Sequence, residues 1–351
     1  MSGDSLTDAK LREAVLALDQ HSTQAAAARA LGLDRSTYRN RLARAAQQGI
    51  GLETEKPFEA DFVPGATPPA EELLERRSRE WELKDAYEEA RKLINVEIQI
   101  DGPIGIVHMG DPHVDDPGTD IVALQRHVAI INATEGLFGA NVGDQQNAWI
   151  GRLAHLYGQQ STSAAEAWVL VEWLVSSVQW IYLLLGNHDL WTGAGDPIQW
   201  MTRGAPGITE PHGARLNLQF PNGKEVRVNA RHDFTGHSMW NPTHGVAKAV
   251  QMGWRDHILT CGHKHISGYQ PVKDPASGLI SHAMRVAGYK VHDRFAKERG
   301  LPNQHISPAF TTIIDPRFED DDPCLITTLF DVEEAAEFLT WKRLCTQTRS
   351  G

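Results

Sequence analysis

Residues 104–113, IGIVHMGDPH, contain the segment on which the fold prediction depends. The mostly apolar run 104–109 predicts a buried strand, and a glycine, an aspartate and a histidine follow it closely. Three further segments combine an apolar run, a glycine and potential metal ligands: 137–144 (LFGANVGD), 181–189 (IYLLLGNHD) and 258–265 (ILTCGHKH). Their shared arrangement predicts that the four segments contribute to one site.

The pattern around these segments predicts an α/β fold. Helix-like stretches at 121–134 and 164–179 alternate with short strands up to Leu185. Residues 98–104 resemble a strand that enters a tight Asp-Gly turn. After Phe220 the sequence is mainly strands and glycine loops. Early βαβ character followed by β-rich sequence predicts a layered α/β sandwich.

The N-terminal part predicts a small all-α domain. Helices are expected at 6–18, at 23–31 with Ser22 as N-cap, and from Asp34, the next cap, to about 45. Residues 49–70 are rich in proline, glycine and acid, which predicts a linker, and a charged helix is expected at 71–93. The predicted domains are therefore 1–48 (helical), 49–95 (linker and charged helix) and 96–351 (α/β).

Composition is that of an ordinary globular protein, with 41% apolar and 23% charged residues. Three dispersed cysteines, no signal segment and no long apolar stretch predict a soluble cytoplasmic protein that makes no membrane contact. The formal net charge of −11 is uneven, because residues 1–48 carry seven basic and five acidic side chains. Nucleic-acid binding by such an acidic chain requires metal ions or a local basic patch.

The carboxylates and histidines after the apolar runs suit a pair of divalent metal ions. Two ions about 3.5–4 Å apart need a bridging carboxylate, and Asp144 on its Gly-Asp turn suits that role. Asp111 and His113 are two positions apart on an extended segment, so both can face one ion. His263 and His265 have the same spacing and can serve one ion each.

Two further ligands are expected nearby. Asn187 would supply a neutral carbonyl oxygen, and His232, after the strand 226–230, a further imidazole; His237 is the alternative to His232. Mixed oxygen and nitrogen ligation without thiolate favours Mn²⁺, Fe or Zn²⁺ over copper. We expect two divalent ions, with Mn²⁺ first among these metals.

The ordered series DxH, GD, GNHD, H, GHxH over roughly residues 96–300 resembles the calcineurin-like metallophosphoesterase superfamily. This resemblance implies a four-layer αββα sandwich and hydrolysis of phosphate esters. It implies one ion held by Asp111, His113, Asp144 and His265. It implies a second ion held by Asp144, Asn187, His232 and His263. His188 would be the general acid or the transition-state donor near the leaving oxygen.

Two positions depart from the protein serine/threonine phosphatase branch of this superfamily. That branch extends the second motif to GDxVDRG, whereas residues 143–148 here read GDQQNA. Asn147 replaces the aspartate that pairs with the catalytic histidine, and Ala148 replaces an arginine that clamps a dianionic monoester. Both departures favour phosphodiester cleavage.

Residues 24–43, QAAAARALGLDRSTYRNRLA, resemble a helix-turn-helix of the Fis or homeodomain-like kind. Gly32 stands where the turn needs positive φ, and Ala28 where two helices approach closely. The expected DNA-binding side chains are those on the exposed face of the third helix: Arg35, Ser36, Arg39, Asn40 and Arg44. A helical bundle for protein contacts is the alternative. Because a single helix-turn-helix binds weakly, a homodimer is expected.

Together these features predict a metal-dependent phosphodiesterase or nuclease that acts on DNA, of the kind found in bacterial or phage DNA processing. Five basic residues could contact a polynucleotide backbone or form an ordinary solvated surface: Arg285, Lys290, Arg294, Lys297 and Arg299. Two other functions remain open. One is a hydrolase of small phosphodiesters or nucleotides, with the helix-turn-helix used only for localisation; the other is a catalytically inert DNA-binding regulator.

Overall fold

A computed structural model describes residues 7–51, 67–191, 197–292, 297–298, 300 and 304–350. The chain divides into two compact units, residues 1–76 and 77–351. In the described part, no helix combines the length and apolar character that crossing a membrane would require.

The described residues 7–51 of the first unit form the helices α1 (Asp8–Gln20), α2 (Gln24–Ala30) and α3 (Arg35–Gln47). They pack around the fully buried Tyr38, whose hydroxyl donates to the Ala14 carbonyl at 2.8 Å. Asp34 caps α3 by accepting from two backbone N–H groups, as the sequence predicts. The N-cap of α2 is Thr23, so the prediction of Ser22 was wrong by one residue.

Helix α4 (Ala70–Arg91) corresponds to the predicted charged helix. Residues 52–66, most of the predicted linker, lie outside the described residues. Near the end of α4, the Tyr87 hydroxyl and the Arg91 guanidinium donate to the Glu210 carboxylate at 3.0 and 2.6 Å. These contacts fix the end of α4 against a strand of the second unit, to which all three residues belong.

Two six-stranded sheets form the second unit. In chain order the strands are β1 (Ile94–Glu97), β2 (Ile104–Met109), β3 (Leu137–Asn141), β4 (Trp180–Leu185), β5 (Ile208–Pro211), β6 (Gly213–Gln219), β7 (Glu225–Arg231), β8 (Ile258–Cys261), β9 (Gly268–Lys273), β10 (Ile280–Arg285), β11 (Ala309–Ile314) and β12 (Ile326–Leu329). One sheet has the order β12-β11-β2-β3-β4-β5, the other β1-β6-β7-β8-β10-β9.

Helices cover the outer faces of both sheets. The remaining helices are α5 (Ile121–Ala133), a 3₁₀ helix (Gly151–Gln159), α6 (Ala164–Ser177), α7 (Asn187–Leu190), α8 (Pro197–Met201), α9 (His244–Gln251) and α10 (Val332–Ser350). One apolar core lies between the sheets, a second beneath α5, α6 and α10, and a third beneath α9. The predicted four-layer αββα sandwich is confirmed.

Alternation along β2 shows why the layers stack in this way. Ile104 and Ile106 belong to the core between the sheets, whereas Val107 and Met109 belong to the core beneath the helices. A strand buried on both faces needs apolar side chains in both directions, which explains its nearly continuous apolar run.

Two sequence predictions about elements were wrong. Residues 98–104 do not form a strand; β1 lies at 94–97 and pairs with β6, while β2 belongs to the other sheet. The Asp101-Gly102 turn, with Gly102 at φ +83°, therefore lies on the connection between sheets and not in a hairpin. The region after Phe220 also contains the helices α9 and α10, which the prediction of a mainly β segment omitted.

Candidate metal centre

Three of the predicted ligands follow neighbouring parallel strands of one sheet. Asp111 comes after β2, Asp144 after β3 and Asn187 after β4. Parallel strands present their carboxyl ends at the same edge, so the three side chains are carried to one place. The loops then bend sharply, which brings His113 back beside Asp144, with 3.9 Å between His113 Nε2 and Asp144 Oδ2.

The second sheet supplies the histidines. His232 follows β7 and His263 follows β8, and these two strands are also parallel neighbours. The His232 and His263 rings meet edge to face, with centroids 4.8 Å apart. His265 lies on the same loop as His263, and its Nε2 is 3.8 Å from Asp111 Oδ2. The site thus forms where the edges of both sheets meet.

Asp144 belongs to both groups of potential ligands. One group joins it to His113 and His188, and the other joins it to His232 and His263, with the ligand atoms of each group within 4.8 Å of one another. Asn187 extends the second group, because its Oδ1 lies 2.8 Å from His232 Nε2. A carboxylate shared by two sets of ligands is the geometry that a bridging role requires.

Backbone strain is concentrated in this site. Among the described residues, seven that are not glycine have φ in the left-handed range. Five of them are the predicted ligands Asp111, His113, Asp144, His263 and His265. Such conformations cost of order 1–3 kcal/mol each and persist where the surrounding structure holds them, typically at functional sites.

Two glycines permit the close approach of the loops. A Cβ at Gly186 would lie 2.1 Å from Asp144 Oδ1, and one at Gly143 would lie 2.6 Å from the Gly186 nitrogen. Gly143 also has φ +115°, which side chains of L-residues rarely allow. Both positions therefore need glycine so that Asp144 can approach the loop after β4.

Asp189 holds the two loops together, a role that the sequence analysis did not assign. Its Oδ2 accepts from the backbone N–H groups of Asp144 and Gly186 at 2.8 and 2.9 Å, and its Oδ1 from Gln145 at 2.9 Å. The signal was in the sequence, because Asp189 ends the GNHD motif. What the motif could not reveal is that its carboxylate bonds to backbone from the preceding motif.

His188 is oriented by a backbone carbonyl. Its Nδ1 is in hydrogen-bond contact with the carbonyl oxygen of Asn147, so Nδ1–H is the donor and Nε2 carries the lone pair of the neutral ring. The Asn147 side chain makes a different contact, because its amide donates to Asp116 Oδ2 at 3.0 Å. The backbone N–H of His188 donates to Asp144 Oδ1 at 2.9 Å.

Electrostatics divide the histidines into neutral and charged rings. Burial lowers the pKa of His113 well below its usual value and that of His263 to about 4, so both rings are neutral at pH 7. Burial also lowers the pKa of His232, but the carboxylates of Asp144 and Asp111 outweigh it and raise this pKa to about 10. His232 therefore carries the positive charge that the buried carboxylates attract.

These residues fit divalent metal ions. Asp111 Oδ1 and His113 Nδ1 are buried and have no hydrogen-bond partner among the described residues. His232 Nε2 lies within 3.2 Å of Asp144 Oδ2, Asn187 Oδ1 and His263 Nδ1, although one N–H can donate well to only one of them. A cation would satisfy these converging oxygen and nitrogen atoms together and would replace the His232 proton.

Arg285 hydrogen-bonds to both loops that carry His232 and His263. Its guanidinium donates to the Asp233 carboxylate at 2.8 Å, to the Gly262 carbonyl and to the Pro242 carbonyl at 3.0 Å. Asp233 follows His232, and Gly262 precedes His263. Because Arg285 is only 2% exposed, it cannot contact a polynucleotide backbone, as the sequence allowed, and it serves instead to position both loops.

The remaining predicted residues lie elsewhere. His237, the alternative to His232, is exposed and belongs to neither ligand group. In the first unit, Arg35, Arg39, Asn40 and Arg44 are exposed on α3. Ser36 is exposed too, but its hydroxyl donates to Asp34 Oδ1 at 2.6 Å and so contributes to the helix cap.

Comparisons with known proteins yield structural matches alone. No family model matches the chain, and no curated protein does. The chain is similar to a conserved protein of Streptococcus pneumoniae TIGR4, described as a predicted phosphoesterase, at 11% identity and TM-score 0.30, covering 66% of this chain and 100% of that one. It is also similar to calcineurin-like phosphoesterase YfkN of Bacillus subtilis, at 12% identity and TM-score 0.34, covering 71% and 97%.

Proposed function

We propose that this protein is a dinuclear metal-dependent phosphoesterase that cleaves phosphodiesters, and that its substrate is DNA. The observation that carries the proposal is the position of Asp144, whose buried carboxylate belongs to two groups of potential metal ligands.

Each ion has its ligands in this proposal. Asp111, His113, Asp144 and His265 hold one, and Asp144, Asn187, His232 and His263 hold the other. Two bound divalent cations would acidify a water molecule and neutralise the charge that develops on the phosphoryl oxygens. Within the described residues, the site needs no serine or cysteine nucleophile, and the buried Cys261 has its pKa raised to about 11 by burial.

His188 handles the proton of the leaving group. The Asn147 carbonyl fixes its Nδ1–H, so Nε2 is the nitrogen that exchanges a proton. Burial lowers the pKa of His188, despite the opposing charge of Asp144, which favours the neutral ring in the free protein. An anionic phosphate beside the ring would favour its protonated form, and the ring could then donate to the leaving oxygen.

A diester suits the site better than a monoester. Ala148 is 5% exposed and stands where the phosphatase branch has its phosphate-binding arginine. Asn147 supplies a carbonyl to His188 where that branch has a carboxylate, so a protonated His188 is stabilised less. A diester carries one negative charge fewer than a monoester dianion and therefore depends less on both missing groups.

DNA as the substrate is supported by the first unit. Arg35, Arg39, Asn40 and Arg44 lie exposed on one helix whose N-terminus is capped, with Ser36 at the cap. These side chains are suited to phosphates and to base edges in a major groove. A second copy of the chain would supply a second half-site, so we include a homodimer in the proposal.

A substrate panel tests the catalytic part of the proposal. The purified chain is incubated with Mn²⁺, Fe²⁺ or Zn²⁺ and with an aryl phosphodiester, an aryl phosphomonoester, single-stranded DNA and double-stranded DNA. Hydrolysis of the diester in preference to the monoester, lost in Asp144→Ala, is the expected result. Cleavage of the small diester without cleavage of either DNA would overturn DNA as the substrate and favour a small-molecule phosphodiesterase. No turnover of any ester would favour an inert DNA-binding regulator.

A further inference from the structure

A cavity of about 430 Å³ opens beside Trp149. Its lining includes the apolar side chains of Pro117, Trp149, Leu153 and Leu156 and the polar side chains of Gln159 and Lys290. The volume is at the lower end of the range of small-molecule sites, roughly 300–1,000 Å³. A single planar group with a sugar attached suits this space.

Trp149 connects the cavity with the metal centre. Its ring meets the His188 ring edge to face, with centroids 5.1 Å apart. The Lys290 ammonium lies 5.1 Å from the centroid of the same indole. Trp149 is thus held between a residue of the proposed active site and a fixed cation. A group stacked on it would be adjacent to the phosphoester that His188 serves.

Lys290 is itself fixed in position. It is 8% exposed, and its Nζ lies 2.8 Å from Asp116 Oδ2, the same oxygen that accepts from the Asn147 amide. The chain of contacts from His188 through Asn147 and Asp116 to Lys290 makes one wall of the cavity rigid. Lys290 is thus ion-paired with Asp116 and mostly buried, whereas the sequence left open a polynucleotide contact or a solvated surface. Arg294 and Arg299 of the same prediction lie outside the described residues.

The charge of the described lining disfavours a second phosphate. Among the described lining residues, Asp116 and Glu298 carry carboxylates and Lys290 an ammonium group. A cavity without excess positive charge would repel an anion, but it suits a neutral planar ring that can stack on an indole. The side chains of Gln159, His155 and His292 in the lining can hydrogen-bond to the edge of such a ring.

We infer that this cavity binds one nucleobase of the substrate, the base attached to the phosphoester that is cleaved. The inference depends on the proposed function and names its substrate class as nucleotidyl esters. A base that enters the cavity must leave its stack, so a single strand or a free nucleotide ester is favoured over an intact duplex.

A ratio of rates tests this inference. The kcat/KM for the p-nitrophenyl ester of thymidine 5′-phosphate is divided by that for methyl p-nitrophenyl phosphate, with Mn²⁺ present. We expect this ratio to be about ten in the wild type. In Trp149→Ala it should fall by about tenfold, which is the effect expected for one lost stacking contact. Trp149→Phe keeps an aromatic ring and should stay within about threefold of the wild-type ratio.

Two further variants control for structural damage. Leu156→Glu places a carboxylate in the cavity wall and should lower the ratio without removing Trp149. Trp254→Ala removes a half-exposed indole that packs near Arg215 and Arg231 and should leave the ratio unchanged. Equal losses on both esters in Trp149→Ala and Leu156→Glu would overturn the inference, because the cavity would then serve only the stability of the site.

A binding measurement needs no turnover. Saturation-transfer NMR on the metal-free protein with thymidine should show contact of the base protons, and this contact should be lost in Trp149→Ala and kept in Trp254→Ala. If the wild type hydrolyses neither ester but binds thymidine in this way, the proposed function fails and the cavity assignment stands. If both esters are hydrolysed equally and thymidine does not bind, the assignment fails and the function stands. Parallel assays on a single-stranded oligonucleotide distinguish a base within a strand from a free nucleotide ester.

Discussion

The residues of the metal centre are held in unfavourable backbone conformations by contacts with small neighbours. Asp144 adopts φ +58° and lies against Gly186, where even a methyl group would overlap its carboxylate. The carboxylate of Asp189 then fixes the backbone of Asp144 and Gly186 together. The ligands are therefore positioned before any metal binds, which reduces the reorganisation that binding requires.

Gly186→Ala should disable the metal centre. The new Cβ would lie 2.1 Å from Asp144 Oδ1, so the shared carboxylate must move. We expect a loss of at least 100-fold in Mn²⁺ affinity and a destabilisation of about 1–3 kcal/mol from overpacking. Calorimetric titration with Mn²⁺ and urea unfolding measure the two effects. Gly158→Ala, where a Cβ meets nothing within 4 Å, is the matched control and should change neither.

A buried histidine in the core should make the fold sensitive to acid. His108 bonds to the Tyr182 hydroxyl and to Thr312 Oγ1, and complete burial lowers its pKa from 6.5 to about 3. The unfolded imidazole gains its proton near pH 6.5, whereas the folded one does so only near pH 3. Stability from the neutral ring is therefore complete above pH 6.5 and is lost as the pH falls towards 3.

His108→Gln should reduce this sensitivity. Between pH 7 and pH 5 the wild type should lose about 2 kcal/mol more than the variant in the free energy of unfolding, from 1.36 kcal/mol per pH unit. Urea unfolding at both pH values provides the measurement, with the exposed His237→Gln as control. Equal losses in wild type and His108→Gln would show that other groups cause the acid sensitivity.

At the scale of elements, the site is the junction of strand ends and loops from both sheets. The apolar runs before each motif predicted β2, β4 and β8 closely, because a strand buried on both faces has a nearly continuous apolar sequence. The ordered motifs placed the candidate ligands after strands for the same reason. The strand predicted at 98–104 was wrong, because an Asp-Gly turn indicates a hairpin only from local sequence. Which of the two sheets a strand joins depends on contacts with residues distant in sequence.

The contacts by which Arg285 holds the loops of His232 and His263 could not be predicted from the sequence either. Arg285 is the last residue of β10, and its sequence context does not distinguish it from an exposed arginine. Only the tertiary structure places its guanidinium between Asp233 and Gly262. The same holds for the Asn147 carbonyl, because a backbone acceptor leaves no mark on residue type. Contacts made through backbone atoms are therefore the part of the site that sequence motifs omit.

Arg285→Met should weaken the loops that carry His232 and His263. The variant leaves the Gly262 carbonyl and the Asp233 carboxylate without their buried donor, which costs about 3–5 kcal/mol for a broken buried ion pair. We expect Mn²⁺ affinity to fall by about tenfold. Arg285→Lys should recover only part of the loss, because an ammonium lacks the planar fork of the guanidinium.

Arg255→Met is the control for Arg285→Met. Its guanidinium pairs with Asp274 at 3.0 Å but is about half exposed, so the pair contributes little. Calorimetric Mn²⁺ titration and urea unfolding of all three variants supply the data. Unchanged metal affinity in a folded Arg285→Met protein would argue against a positioning role for Arg285.

At the scale of the whole molecule, the chain combines a helical unit carrying an exposed basic face with an α/β unit carrying the candidate metal centre. The formal charge of residues 1–48 is positive in an otherwise acidic chain. In our proposal the division also resolves a conflict. A metal centre lined by carboxylates attracts no DNA without its cations, and the basic face supplies the affinity that the acidic body lacks.

Substitutions on the basic face should change DNA binding in a measurable way. Arg39→Ala and Arg44→Ala should each weaken duplex binding by the full-length chain and lower the slope of log K against log salt by about one. Fluorescence anisotropy at several salt concentrations gives the slope. Arg12→Ala, on an exposed position of α1, should leave it unchanged. Equal slopes for all the proteins would favour a protein-contact role for the first unit.

Metal stoichiometry tests the central claim most directly. After treatment with chelator, the wild-type protein and Asp144→Ala are dialysed to equilibrium against Mn²⁺, and the bound metal is measured by mass spectrometry. Shared ligation by Asp144 predicts two ions per wild-type chain and fewer than one per Asp144→Ala chain. Substoichiometric metal in the wild type, or two ions retained by Asp144→Ala, would contradict the dinuclear centre.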